Sequence, residues 1–419
     1  MELKKVDVLI IGAGPAGLAA AQAVKQSGID SLLVLEREHQ PGGILRQCIH
    51  NGFGLHRFKE ELTGPEYAKR DIDAAGALGI PIKTDTTVLS VDGPAHVVTC
   101  ISAQDGLEQY EAKAIILAMG CRERPRGALG TPGTRCSGIY SAGTAQKFVN
   151  LEGLMPGKRI VILGSGDIGL IMARRMTLQG AKVLACVELM PYSSGLNRNI
   201  VQCLNDYDIP LYLSHTVIDI KGRERLTGIT VAKVDEKRRP IPGTEIEFDC
   251  DTLLLSVGLI PENELSEGAG VAMSPKTRGA LVDDSLETSV PGIFACGNVL
   301  HVHDLVDHVS NESFKAGAAA AAYVKAGAVE GEKITVTDGD GVMGTVPQFI
   351  CKGATAGVDL MFRPTGVFRN ATCVVTCGDR EIARKKAMIY TPGEMAVVTL
   401  KPDVVSTLDA PVTVRIERS

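Results

Sequence analysis

Two glycine-rich turns carry the most specific chemistry in this chain. Gly12, Gly14 and Gly17 follow the apolar run Val8–Ile11, and Gly164, Gly166 and Gly169 follow Ile160–Leu163. With Gly28 and Gly180, and then Glu36 and Glu188, five positions repeat at an offset of 152 residues. Each residue type has a physical reason. The first glycine makes a tight strand-to-helix turn, the second lets backbone approach a pyrophosphate, and the third lets helix and strand pack closely. Pro15 and Ala16 in one copy, and Asp167 and Ile168 in the other, fill the turn between the second and third glycines. Backbone N–H groups and the helix dipole then hold phosphates. The carboxylate at the end of the following strand accepts two ribose hydroxyls. A single such turn also occurs in α/β proteins that bind nothing; two copies with matched carboxylates point to two dinucleotide sites.

Thiol chemistry is the next possibility. Eleven cysteines are scattered along the chain, and none forms a Cys-x-x-Cys. Disulfide exchange needs two sulfurs close enough to bridge. Cys48 has no partner a few residues on, and Cys373 and Cys377 share one face of a strand, where they read as packing residues. Cys48 and Cys121 read either as close to the reacting part of a bound cofactor or as small buried residues, and Cys296 as structural. The run His301-Val302-His303-Asp304-Leu305-Val306-Asp307-His308 has metal-ligand composition, but no second ligand cluster is evident. We read it as a polar wall of a cofactor pocket or as plain loop, with His303 a candidate near the reacting ring and no metal expected.

These residues need particular elements to position them. Each glycine turn must join a buried strand to a helix that ends near Gly28 or Gly180, followed by the strands Ser31–Leu35 and Lys182–Val187. Ser310 is expected to cap a late helix, with Glu312 an acid in its first turn. From Lys333 onward the pattern changes to short β-rich runs, Ile334–Thr337, Thr372–Thr376 and Ala396–Leu400, separated by Asp340-Gly341 and Pro392-Gly393. The fold class expected is α/β: two Rossmann-like dinucleotide-binding domains, one inserted in the other, plus a small C-terminal all-β sandwich or barrel.

Further segments carry a resemblance. Ala114–Gly120, Thr252–Gly258 with Pro261, and Thr288–Asn298 join the two glycine turns. Together they resemble the two-dinucleotide-binding-domain flavoproteins of the glutathione and thioredoxin reductase type. Pro41–Cys48, Cys121–Arg126, Ser141–Gln146 and Gly297–Asp307 are similar to the flavin subunits of opine oxidase, cyanide-forming glycine oxidase and dye-linked proline dehydrogenase. Similar proteins accompany flavin-dependent glycerol-3-phosphate dehydrogenases. The likeness covers roughly residues 1 to 330. It implies an FAD domain at 1–120 and 260–331 and an NAD domain at 121–259, which leaves 332–419 to the β domain read from its strand pattern. It also implies FAD contacts from Gly12, Gly14, Pro15, Ala16, Gly17, Glu36, Arg37, Gly43, Val88, Ala118, Gly120, Gly297, Asn298 and Glu312. NAD(H) would be met by Gly164, Gly166, Asp167, Ile168, Gly169, Glu188 and Gly258. In the family the late strand ends in Gly-Asp, whose Asp bonds the ribityl chain; here Asn298 stands there, still able to donate and accept. The family's late helix points its N-terminus at the flavin N1–O2 edge.

Composition narrows the function. The net charge is −5, aromatics are 4% and Trp is absent, which argues against a nucleic-acid partner. No span or signal peptide is read in the glycine-broken stretch Val8–Val24, and the scattered odd set of thiols suggests the cytoplasm. The expected function is an FAD-dependent oxidoreductase linking NAD(H) to another carrier, partnered by a substrate-oxidising flavoprotein dehydrogenase. Alternatives are a free-standing NADH oxidase or quinone or dye reductase, as a homo-oligomer, and a protein that holds a nucleotide without turnover.

Overall fold

The computed structural model describes residues 2–327 and 331–418, so residues 328–330, just before the expected start of the β domain, lie outside the described set. The chain divides into two compact units, Met1–Cys121 with Pro261–Ser419, and Arg122–Ile260. The first unit opens with β1 (Leu3–Ile11), α1 (Pro15–Gln26) and β2 (Leu32–Leu35). The second unit repeats the theme as β3 (Arg159–Leu163), α2 (Asp167–Leu178) and β4 (Lys182–Glu188). The chain then returns to the first unit, where α3 (Val306–Ala326) packs against α1.

The ends of β1 and β3 are buried on both faces, Val8–Ile11 and Ile160–Leu163, which suits the central strands of a parallel sheet. In the first unit the sheet order is Ile82–Lys83, β2, β1, Gly106–Leu117, Val97–Ser102 and Thr86–Asp92. Strand Gly106–Leu117 serves two partners along one edge. Its first half runs antiparallel to Val97–Ser102, and its end runs parallel to Ile293–Ala295. That second pairing ties the late segment to β1's neighbour. In the second unit five strands, Ile139–Ser141, Thr252–Leu255, β3, β4 and Leu211–Leu213, are all parallel. An antiparallel trio, His215–Gly222, Leu226–Lys233 and Ile246–Phe248, completes that unit.

The C-terminal region is strand-rich. A five-stranded sheet, ordered Phe349–Cys351, Lys333–Asp338, Val412–Arg418, Phe368–Cys377 and Arg380–Tyr390, accompanies a three-stranded one of Val342–Val346, Val358–Pro364 and Ala396–Leu400. Both sheets feed one apolar core that includes Ile350, Phe362, Val375, Leu400 and Val414, with Cys373 and Cys377 inside it. Polar contacts dock these sheets on earlier loops of the same unit. Lys333 meets Asp283 at 2.7 Å and Lys276 meets Asp338 at 2.7 Å. The Gln348 and Phe349 N–H groups donate to the Val282 carbonyl.

The late helix corrects the sequence reading. It begins at Val306, after an extended Leu305, so Ser310 is not its cap and Glu312 is not in its first turn. The acid of the first turn is Asp307, which accepts from the His56 N–H at 3.0 Å. The start is fixed by tertiary contacts on either side. Arg363 forks onto Asp304 at 2.6 and 2.9 Å just before the helix, and the Ser310 hydroxyl bonds Tyr67 Oη at 2.8 Å one turn in.

Candidate functional site

At the first turn Gly12 has φ +102° and its N–H donates to the Leu35 carbonyl. That φ favours glycine, and a Cβ on Gly17 would lie 1.8 Å from the Gly12 oxygen. Gly14 caps α1 without a side chain, and no acid occupies the first turn, so the leading N–H groups remain for an anion. Glu36 is buried and reaches back. One oxygen accepts the Ala13 N–H at 2.7 Å and the other the Glu38 N–H at 2.9 Å. Gly43 sits against this turn, since a Cβ there would fall 2.9 Å from the Gly14 Cα.

The second turn reproduces this geometry. Gly164 has φ +99° and donates to the Val187 carbonyl; Gly166 caps α2. Glu188 accepts the Ser165 N–H at 2.9 Å and the Met190 N–H at 2.9 Å, matching Glu36 atom for atom, and adds the Ser165 hydroxyl at 2.6 Å. The copies differ at Asp167, the acid in the first turn. Its Oδ1 accepts from the Leu196 N–H at 2.8 Å and the Asn199 amide at 2.7 Å, while the Ser193 hydroxyl bonds the Ser165 carbonyl. The loop after β4 is thereby tied across the turn. Ile168 is half-buried and packs against the core beside α2. Gly258 has φ +99°, and its carbonyl accepts the Arg124 N–H.

The remaining expected residues fall into three groups. Ala118 is buried, with its N–H on the Ile11 carbonyl, and Gly120 has φ +75°, so both close the turn at the end of strand Gly106–Leu117. Val88 packs at the edge of the same core. Arg37 is exposed and pairs with Glu262 at 3.0 Å.

Around Gly297 the structure assembles a knot of polar groups. Asn298 Oδ1 accepts from the His303 backbone N–H at 3.0 Å, and its amide donates to Cys121 Sγ at 3.6 Å. An aspartate could accept but could not make that second contact. Glu312 Oε1 accepts the Gly297 N–H at 2.7 Å, and Oε2 lies 2.6 Å from His301 Nε2 and 3.4 Å from His303 Nε2. Burial opposes ionisation of Glu312, but the two imidazoles outweigh it and hold its carboxyl well below the usual range; burial lowers His301. The side chains of His301, His303 and Glu312 are 5%, 0% and 2% exposed. They pack against one another as a buried cluster, which departs from the plain-loop reading of this run. They face inward because α3 starts at Val306, which carries Glu312 to its second turn and beneath the histidines.

All eleven cysteines are thiols. Cys48 Sγ contacts the Ile44 carbonyl at 3.3 Å, and burial pushes its thiol up to about 12. Cys296 is likewise pushed up to about 12 by burial. Contacts that the sequence did not signal include Ser165, Ser256, whose hydroxyl accepts the Gly169 N–H at 3.1 Å, and the Arg363–Asp304 brace. Ser165 occupies the variable position between two glycines, and Arg363 lies far along the chain, so neither stands out by pattern.

The profile described as "Pyridine nucleotide-disulphide oxidoreductase" matches residues 6–322. An opine oxidase subunit of Agrobacterium tumefaciens is 25% identical over 313 residues, covering 70% of this chain and 61% of that protein. Thioredoxin reductase of Treponema pallidum is 26% identical over 309 residues, covering 70% of this chain and 88% of the relative. Among solved structures, thioredoxin reductase of T. acidophilum superposes with a TM-score of 0.63 at 26% identity, covering 76% of this chain and 98% of that one.

Proposed function

The chain belongs to the pyridine nucleotide-disulphide oxidoreductase family, and on that premise we propose that it exchanges electrons between NAD(H) and another redox carrier. Members of the family bind FAD and NAD(P)H. The observation that carries the reading is the duplicated clamp. Ala13 N–H on Glu36 and Ser165 N–H on Glu188 each hold a carboxylate beside a helix N-terminus whose N-cap residue is a glycine. The first turn fits the pyrophosphate and ribose of FAD, held by Gly12, Gly14, Pro15, Ala16, Gly17 and Glu36. Gly43, Ala118, Gly120 and Gly297 are the close-approach positions, and Arg37 and Val88 lie farther out. Asn298 is the polar contact for the ribityl chain, and Glu312 positions Gly297 from behind. The second turn, with Glu188 and Gly258, is the NAD(H) site. We assign residues 1–120 and 260–331 to the FAD domain, 121–259 to the NAD domain and 332–419 to the β domain.

Bound flavin supplies hydride and single-electron chemistry, and the protein supplies alignment and water exclusion. No thiol is assigned a redox role, since Cys48 is held protonated by burial and has no Cys-x-x-Cys partner. The other redox carrier is proposed to sit in a second, substrate-oxidising flavoprotein of the same complex, which passes on the electrons it takes from its substrate. Support comes from the opine oxidase relative, which is named as one subunit of its enzyme. A permanent complex of this kind should bury roughly 2,000 Å² or more. Asp167 and the loop Ser193–Leu196 favour a second reading, in which the second site holds a nucleotide without turnover. Anaerobic stopped-flow mixing with NADH separates the two: flavin bleaching supports electron exchange, and an unreduced flavin supports the second. Affinity purification from the native organism then tests the partner; a homo-oligomer that oxidises a small substrate unaided would promote a free-standing reductase.

A further inference from the structure

We propose that His301, His303 and Glu312 form a buried binding site for one divalent cation of the zinc class. The three ligand atoms lie within 4.8 Å of one another, and all three residues are buried. Nitrogen and carboxylate donors in this ratio suit zinc, which binds such ligands at roughly 2.0–2.1 Å. Around a tetrahedral ion of that size the donors stand about 3.4 Å apart. The separations here, 2.6 Å from His301 Nε2 and 3.4 Å from His303 Nε2 to Glu312 Oε2, need only a small adjustment.

The second observation is the orientation of His303. Its backbone N–H donates to Asn298 Oδ1, which identifies that atom as the amide oxygen, and His303 Nδ1 lies 3.3 Å from the same oxygen. Nδ1 therefore carries a proton, and in the neutral imidazole the Nε2 lone pair turns toward Glu312. Nε2 is buried and makes no hydrogen bond, although Glu312 Oε2 is 3.4 Å away. Two electron-rich atoms facing each other in a buried site repel unless a proton or a metal cation lies between them, and a metal ion can take that place. An amide that fixes the imidazole tautomer through its far nitrogen is the arrangement of an outer shell around a metal site. The protein offers three ligands, leaving a fourth position for water. Burial gives the ion a structural task. Because Glu312 also holds the Gly297 N–H, the metal would pin the Gly297 turn to α3.

The test uses the purified full chain, dialysed against one equivalent of zinc chloride in metal-free buffer. Elemental analysis should find about one zinc per chain, and zinc-edge X-ray absorption should show two imidazoles with oxygen donors. His303→Gln should lower retained zinc roughly tenfold or more, and Asn298→Ala should weaken binding by about 10–100-fold, as outer-shell losses do. His303→Cys should keep the metal, with a sulfur ligand visible in the spectrum. Circular dichroism accompanies each variant; if His303→Gln does not fold, His301→Gln set against His303→Cys makes the comparison. Wild-type protein that retains no zinc, or glutamine variants that bind as much as wild type, would overturn the site. Zinc content is read without NADH or turnover, so failure here leaves the electron-transfer reading untouched.

Discussion

Glu36 and Glu188 each spend their carboxylate on two backbone N–H groups, and the loss of either has a definite consequence. Removing Glu36 strips a charged acceptor from the first turn. Glu36→Ala should weaken FAD retention by about 1–3 kcal/mol, measured by flavin release during equilibrium dialysis. Glu188 presents negative charge where a 2′-phosphate would sit, and the following Leu189-Met190-Pro191 supplies no cation. Reduction by NADH should therefore outpace reduction by NADPH at equal concentration in stopped-flow traces; the reverse order would mean that Glu188 is not at the ribose. The thiols make the contrasting case. Burial holds Cys48 protonated, and Cys121 accepts a contact from Asn298. Cys48→Ser and Cys121→Ser should each leave NADH-dependent flavin reduction within about tenfold, or about 1.4 kcal/mol of barrier. A loss of several hundredfold with flavin still bound would restore thiol chemistry.

At the level of elements, the segment Leu300–Leu305 is set by contacts distant in sequence. Arg363, on strand Val358–Pro364, forks onto Asp304 and also donates to the Val302 carbonyl at 3.0 Å, while the Met395 N–H donates to Asp304 at 2.6 Å. The C-terminal sheets thus brace the run that carries His301 and His303. Arg363 and Asp304 side chains are 23% and 20% exposed, so the pair is partly shielded. Arg363→Ala should cost about 1.5–3 kcal/mol in urea unfolding. Arg363→Lys should recover only part of it, because lysine cannot form the bidentate fork. Equal stability in all three proteins would show that the brace contributes nothing.

For the whole molecule, two ion pairs that dock the strand-rich region set a pH window. In Asp338, burial works against ionisation, but Lys276, Thr345 and the Gly344 N–H lower its pKa from the ordinary 3.8. The folded state then binds the proton less tightly, so this contribution is present above 3.8 and is lost as pH falls through the lowered value. In Lys333, burial lowers and Asp283 raises, with a net rise above 10.5. Its contribution is present below 10.5 and is lost as pH rises through the raised value. The lysine side chains of the two pairs, Lys276 and Lys333, are 53% and 35% exposed, so solvent screening keeps each effect modest. Unfolding midpoints measured across pH should fall at both extremes, and Asp338→Asn should flatten the acid limb alone; an unchanged acid limb would show that the pair is screened out.

The sequence by itself determined the repeat. Glycine positions, a strand-ending carboxylate and a buried apolar run are local requirements of a strand–turn–helix, so Gly12 to Glu36 and Gly164 to Glu188 were legible from spacing alone. The strand-rich tail was legible for a similar reason, since alternation and turn pairs act over a few residues. What the tertiary structure alone decided lies between Gly297 and Glu312. Local cues favoured Ser310 as a helix start and left the histidines as a pocket wall or plain loop. Tyr67, Arg363 and Asp304, from three separate stretches of chain, instead moved the helix start to Val306 and turned both imidazoles inward onto Glu312. Capping preferences are worth about 1 kcal/mol, and a partly shielded charged fork with a buried hydroxyl pair exceeds that, so long-range contacts settled the segment against its local signal.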